Sequence, residues 1–268
     1  MRIVLTIAGS DSIAGAGIQA DLKTFAALGV YGVSAVTAVT AQNTAAVGDV
    51  FALRPEMVRA QIDQLARDVD IAAVKTGMLA TGEIVRVVAE AVKRLGRSNL
   101  VVDTVMAAGS AGARTLLPPE AVSILRTHLL PAATVITPNL SEASALSGLE
   151  VTSLADAREA AKRIAGLGAA AVVIKGGHLP GRDAVDVLFH GGTFAELTAP
   201  RVNVEAIHGT GCTFASAIAA GLALGDDIPA AVQRAKTYIT GAIGHALDIG
   251  HGARILNHFW DVLPHRRL

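Results

Sequence analysis

The sequence predicts an α/β fold built on a buried, mostly parallel sheet with a small antiparallel edge, and three observations carry that prediction. Short runs rich in Val, Ile and Ala alternate with longer amphipathic segments, the order expected of strands joined by crossover helices. These runs are apolar throughout rather than alternating with polar residues, as strands covered on both faces are. Each run ends in Gly, Pro or small polar residues, which gathers functional loops at the carboxyl edge of the sheet. Strands are expected at residues 3–8, 33–40, 71–75, 99–103, 134–137 and 171–175. Helices are expected at 17–28, 56–67, 82–95, 119–130, 141–146, 154–167, 210–224 and 230–247, several of them opening on Pro or a capping residue. Residues 185–189 and 193–197 flank His190-Gly191-Gly192 as a hairpin, which supplies the antiparallel edge. No linker, repeat or low-complexity tract divides the chain, so residues 1–268 read as one domain. The last residues, with His258, Trp260, His265 and two arginines, read as a surface tail.

Composition narrows the function classes. Lys plus Arg equals Asp plus Glu at 23 each, so there is no overall pull toward nucleic acid or an anionic membrane, and small-molecule partners are expected. No apolar run reaches the length of a membrane span. The single cysteine excludes an intramolecular disulfide, and the amino terminus enters a strand-like run without a cleavable leader, so a cytoplasmic protein is expected.

The most informative segment is His208-Gly209-Thr210-Gly211-Cys212-Thr213-Phe214, followed by a run of small residues. Two glycines around a threonine let backbone N–H groups converge at a helix start, where the dipole adds positive character, and such a place holds phosphate. A thiol in that first turn is expected to be favoured as thiolate, which makes Cys212 a candidate proton acceptor. Packing as a small apolar residue is the plainer role of a lone cysteine.

Other candidates sit at successive strand ends. Gly15-Ala16-Gly17-Ile18-Gln19-Ala20 matches a loose dinucleotide fingerprint, but the loop is too long for that turn and the second strand ends in Gln42-Asn43 rather than an acid. Asp21, early in the following helix, could accept hydrogen bonds from a substrate or simply be solvated. Gln42 offers one acceptor and a two-proton donor, the complement of an aminopyrimidine edge, although amides are also ordinary turn residues. Met78 is either a flexible wall for a flat ring or a filler of the core. Asn139 and Glu142 are spaced to share one helix face, where they could hold Mg²⁺ near phosphates or form a capping box. Asp103 is a further carboxylate for magnesium, and Lys175, in Lys175-Gly176-Gly177-His178, could meet a phosphate chain. There is no G-x-x-x-x-G-K-[ST] loop, and the eight scattered histidines lack zinc-ligand spacing.

Taken in order, the motifs from Gly15 to Phe25, Ala41-Gln42-Asn43-Thr44, Gly77-Met78-Leu79, Asp103-Thr104-Val105-Met106, Thr137-Pro138-Asn139, Lys175 to His178 and His208 to Thr213 resemble the ribokinase-like superfamily. Within it they are most similar to the bacterial hydroxymethylpyrimidine/phosphomethylpyrimidine kinases of thiamin biosynthesis. The resemblance runs from Ile3 to about Gly252. It implies one three-layer α/β/α domain, usually a homodimer, that phosphorylates 4-amino-5-hydroxymethyl-2-methylpyrimidine and then its monophosphate with ATP and Mg²⁺. By position it implies pyrimidine contacts from Gly9, Asp21, Gln42 and Met78, and an anion hole from Gly209, Thr210, Gly211 and Cys212. It makes Cys212 the base, where most of the superfamily has Asp. Asp103, Asn139 and Glu142 would organise Mg²⁺, Lys175 and Thr210 would meet nucleotide phosphates, and Lys236 would lie near the adenosine. Two stretches depart from the pattern: Ser12-Ile13-Ala14-Gly15 replaces a Ser-Gly-Gly run, and Ala107-Ala108-Gly109-Ser110 lacks the usual Lys.

Three alternatives stand beside this reading. One is a pyridoxal kinase of the same superfamily, some of which share the Gly-Cys anion hole, and Gln42 is the discriminating residue. A binding module without turnover would have little use for Cys212, Asn139, Glu142 and Lys175 together. A nicotinamide-dependent oxidoreductase lacks its ribose acid.

Overall fold

The structure, a computed structural model, describes residues 1–96, 99–107, 114–177, 179–202 and 206–262. His178, residues 108–110 of the Ala107 loop and the terminal His265 with its arginines lie outside the described residues. A nine-stranded sheet forms the middle layer. Its strands are β1 (Ile3–Asp11), β2 (Tyr31–Gln42), β3 (Val47–Ala52), β4 (Ile71–Thr76), β5 (Leu100–Val102), β6 (Val135–Ile136), β7 (Ala171–Ile174), β8 (Asp183–His190) and β9 (Thr193–Pro200), in the spatial order β3-β2-β1-β4-β5-β6-β7-β8-β9. From β2 to β7 every pairing is parallel, and β3, β8 and β9 add antiparallel edges. Gly191 and Gly192 both take positive φ (57° and 78°), as a two-residue hairpin turn matching the strand twist requires.

The apolar runs are covered on both faces, as expected of parallel strands. Leu5, Ile7, Val74, Val102 and Ile136 face one core with α2 (Pro55–Asp68), α3 (Gly82–Leu95), α4 (Pro119–Ile124), α5 (Leu140–Ser147) and α6 (Leu154–Ala165). Val4, Ala73, Val101 and Val135 face the other with α1 (Gly17–Ala27), α7 (Thr210–Leu224) and α8 (Ile228–Gly244). The expected three-layer α/β/α arrangement follows from those two cores.

Several elements differ from expectation. Strand β3 was not anticipated, because it is an edge strand of mixed burial with no apolar run to mark it. The helix expected at 119–130 is regular only to Ile124 and ends in a wider turn, Leu125–Leu129, and a tighter one, Leu130–Ala132. Pro131 lacks the N–H that a regular helix needs there. A two-stranded ribbon pairs β10 (Ile207–His208) with β11 (Arg254–Ile255) and returns the end of the chain to the start of α7.

The surface-tail reading is corrected by that return. His258 is 2% exposed, with its Nε2 3.1 Å from Thr213 Oγ1, and Trp260 stacks on His245. Burial, reinforced by Lys23, pushes His258 down to about 4 from its ordinary 6.5. The unfolded chain therefore takes up this proton first as pH falls. The contribution of neutral His258 is intact above pH 6.5 and declines toward pH 4, by about 3 kcal/mol in all. Denaturant unfolding at pH 7 and at pH 4.5 should show an acid loss about 2–3 kcal/mol greater in the native protein than in His258→Gln. Equal losses would contradict the burial argument.

Candidate active site

Connections from β1 run to β2 on one side and, later, to β4 on the other, so the sheet's topological switch point lies between β1 and β4. The candidate residues gather at the carboxyl ends of these strands and of β5 and β7.

The loop after β1 is wound around one carboxylate. Asp11 accepts hydrogen bonds from the backbone N–H groups of Ile13 (3.1 Å), Gly15 (3.0 Å) and Ala16 (2.8 Å), and its Oδ2 lies 2.8 Å from His208 Nε2. Burial pushes Asp11 up, but the His208 hydrogen bond and those of the backbone outweigh it and hold Asp11 below its ordinary value. The glycine-rich loop is thus an anion nest filled by its own side chain. Ala14 holds φ at +59°, a left-handed conformation that favours glycine, at the point where this chain departs from the Ser-Gly-Gly pattern.

The segment singled out from sequence forms the expected turn into a helix. Gly209 has φ +89°, and a Cβ there would lie 1.7 Å from Gly15 O, so the start of α7 is pressed against the β1 loop. A Cβ on Gly211 would sit 3.2 Å from Lys175 Nζ and 3.7 Å from both Asp103 carboxylate oxygens. Glycine here lets the helix start approach an ammonium and a carboxylate closely. Thr210 is the first residue of α7.

Cys212 departs from expectation. Burial pushes its thiol up to about 12, against the pull of Lys75, and the charges of Asp103 and Asp21 push the same way. The Gly17 N–H directed at the sulfur lowers it only in part. In the free protein at neutral pH the group is a thiol, because the dipole and one cation do not overcome desolvation. His208, the neighbouring imidazole in sequence, faces Asp11 and Gln42.

On the β5 and β7 side, Lys175 Nζ donates to Asp103 Oδ1 at 3.0 Å. Among the described residues, Asp103 Oδ2 is buried without a hydrogen-bond partner. Burial and the nearby Asp103 raise Glu142 above its ordinary value, although Lys175 opposes this. Burial would lower Lys175, but Asp103 and Glu142 more than offset it and keep the ammonium charged. Asn139 and Glu142 form a reciprocal capping box: Asn139 Oδ1 accepts from Glu142 N and Glu142 Oε2 accepts from Asn139 N, each at 2.9 Å. Thr104 donates to the same Glu142 oxygen at 3.0 Å.

Two expected contacts do not match their surroundings. Asp21 is fully buried, and its carboxylate accepts from Lys75 Nζ (2.8 and 2.9 Å), Thr6 Oγ1 (2.6 Å) and Ser216 Oγ (2.7 Å). With both oxygens engaged it ties β1, α1, β4 and α7 together. Lys236 is 6% exposed and donates to Asp186 Oδ2 at 2.8 Å and Ala184 O at 3.0 Å. Asp186 Oδ1 in turn accepts from Gly176 N at 2.9 Å, so Lys236 anchors the turn after Lys175 rather than reaching an open nucleotide site.

Gln42 does line a cleft, of about 470 Å³, together with Ser12, Thr40, Ala41, Asn43, Ala46 and Gly48. Its amide lies 2.9 Å from His208 Nε2, and Ser12 Oγ is tied to its backbone N–H and C=O at 2.8 Å each. Met78 is 8% exposed, and a Cβ on Gly9 would fall 2.4 Å from its Cε, so the two share one wall. Sequence reasoning missed the Asp11 nest, the Asp11–His208–Gln42 chain and the Lys75–Asp21 pair. Only the last left a signal, a lysine inside the otherwise apolar run Ile71-Ala72-Ala73-Val74-Lys75.

Known proteins resemble the chain over nearly its whole length. Residues 11–257 match the family model for phosphomethylpyrimidine kinase. A hydroxymethylpyrimidine/phosphomethylpyrimidine kinase from Rhizobium meliloti is 48% identical over 96% of this chain and 97% of its own length. The thiamine biosynthesis bifunctional protein ThiED of Geobacter sulfurreducens is 47% identical over 95% of this chain, which spans 52% of that longer protein. An ADP complex of Bacillus subtilis pyridoxal kinase superposes with a TM-score of 0.90 at 42% identity, covering 96% of this chain and 97% of that one. The two cores, the glycine-built helix start and these likenesses agree: the chain belongs to the phosphomethylpyrimidine kinase family, whose members are kinases with a ribokinase-like fold.

Proposed function

We propose that residues 1–268 act as one cytoplasmic kinase domain that transfers phosphate from MgATP to 4-amino-5-hydroxymethyl-2-methylpyrimidine and then to its monophosphate. One observation carries this reading: the Gln42–His208 contact sets a carboxamide in an open cleft one residue from the glycine-built start of α7. The carboxamide meets the amino group and ring nitrogen, Gly9 and Met78 wall the ring, and the hydroxymethyl group faces Cys212. Backbone N–H groups from Gly209 to Cys212 and the Lys175 ammonium balance the charge on the transferred phosphoryl group, and such positioning accounts for most of catalysis in phosphoryl transfer.

The residues present fit Mg²⁺. Asp103 offers a buried oxygen without a partner among the described residues, Glu142 stands close enough to feel its charge, and Mg²⁺ is commonly held by one or two carboxylates with phosphates and water. Asp103 and Glu142 would hold the ion, with Asn139 fixing Glu142 through the capping box, and the ion would neutralise phosphate charge. Among the described residues no helix is long and apolar enough to cross a membrane. The homodimer is proposed to form along the sheet edge, where Val39 and Phe51 pair across β2 and β3 yet are 48% and 72% exposed.

The likeness to pyridoxal kinase supports a second reading, in which the cleft takes pyridoxal. Gln42→Ala separates the two. It should weaken binding of the aminopyrimidine by about 1–3 kcal/mol, roughly 5- to 150-fold in Kd by calorimetry, with pyridoxal affected far less. An unchanged aminopyrimidine Kd would remove Gln42 from recognition.

A further inference from the structure

Gln42 stands at a point where the hydrogen-bond roles of its neighbours are overdetermined. His208 Nε2 lies 2.8 Å from Asp11 Oδ2 and 2.9 Å from the Gln42 amide, at the position of Nε2. Asp11 accepts three backbone N–H bonds, so it is a carboxylate with no proton to give. The short contact to His208 therefore needs the proton on His208 Nε2, which makes this nitrogen a donor and leaves it no lone pair. An amide N–H2 facing it would oppose donor to donor. On the other side of the amide, the Thr40 hydroxyl donates to Ser10 O at 3.0 Å, so its lone pairs are free to accept at 3.3 Å from the amide group nearest to it. Exchanging oxygen and nitrogen, which occupy nearly the same volume, removes that clash: the single Nε2 proton is then shared, three-centred, between Asp11 Oδ2 and the Gln42 oxygen, and the amide N–H2 donates to Thr40 Oγ1.

We infer that His208, held by Asp11, is a positioning residue that turns the Gln42 carboxamide so that its oxygen faces His208 and its N–H2 faces Thr40. Each amide end then keeps one free valence, an acceptor on the His208 side and a donor on the Thr40 side. The cleft presents an edge of fixed polarity, which accepts from an exocyclic amine and donates to the adjacent ring nitrogen. A ring with an exocyclic oxygen and a protonated ring nitrogen offers the reverse edge and is refused. The packing supports this role. A Cβ on Gly15 would lie 2.5 Å from His208 Cδ2, so the nest around Asp11 leaves room for the imidazole, and Ser12 fixes the Gln42 backbone in the same loop.

This inference rests on the reading that Gln42 meets the pyrimidine. The test compares kcat/KM for the 4-amino substrate with that for its 4-oxo counterpart. The unmodified protein should prefer the amine, His208→Phe should reduce that preference by about tenfold or more, and His208→Gln, which restores a donor at similar reach, should recover most of it. Both substrates use the same anion hole, so a merely structural defect would lower both rates equally and leave the ratio intact. Nitrogen-15 NMR of the imidazole should show Nε2 protonated. A His208→Phe variant with an unchanged ratio, or a His208 protonated only on Nδ1, would overturn the inference while leaving the Gln42 reading in place. Absence of any amino preference in the unmodified protein would remove both.

Discussion

Cys212→Ala should retain binding of ATP and pyrimidine yet lose turnover by about 10²- to 10⁴-fold, the usual contribution of a positioned base. The pH dependence gives this expectation its sign. Burial holds the Cys212 thiol at about 12, so the thiolate fraction rises tenfold per pH unit across the neutral and alkaline range. If the thiolate accepts the hydroxymethyl proton, log kcat should climb with a slope near one from pH 7 to 9. An aspartate is ionised at lower pH, so Cys212→Asp should keep measurable turnover and flatten the profile. A flat profile in the native protein, or near-normal turnover of Cys212→Ala, would reduce Cys212 to a packing residue beside Gly17 and Lys75.

Asp21→Asn should be the most destabilising single change in the site. Lys75 and Asp21 are both fully buried, and removing one charge strands the other in a region without water. Breaking such a pair costs about 3–5 kcal/mol, which for a chain of this size lowers Tm on the order of 10 °C. The double variant Asp21→Asn/Lys75→Met removes both charges, so its loss should be well below the sum of the two single losses. Thermal melts of the three variants check this directly. An unchanged Tm with a raised pyrimidine KM would restore Asp21 to the role of substrate ligand.

The sheet was legible because burial on both faces writes an unbroken apolar run into each parallel strand, as in Ile71–Thr76 and Ala171–Ile174. Strand β3 escaped because an edge strand is half solvated, and the 207–208 and 254–255 ribbon escaped because two-residue strands carry no pattern. The site was legible where backbone geometry demands a residue type: Gly209 and Gly211 are fixed by the contacts a Cβ would make. Charged residues were harder to place. A carboxylate reads the same in sequence whether it faces a ligand or a buried lysine, which is why Asp21 and Lys236 were expected at the substrates and are found in ion pairs. Asp11 and His208 are 197 positions apart, and only the return of the chain through β10 reveals that they orient Gln42. The direction of the Cys212 shift depended on a balance between dipole, desolvation and Lys75 that no local motif records.

The most direct test is a time course with MgATP and 4-amino-5-hydroxymethyl-2-methylpyrimidine in which monophosphate and diphosphate are separated, run beside the same assay with pyridoxal. The monophosphate should appear first and pass to the diphosphate, with pyridoxal turned over far more slowly. Equal or faster turnover of pyridoxal, or no consumption of ATP with saturating pyrimidine and Mg²⁺, would contradict the account.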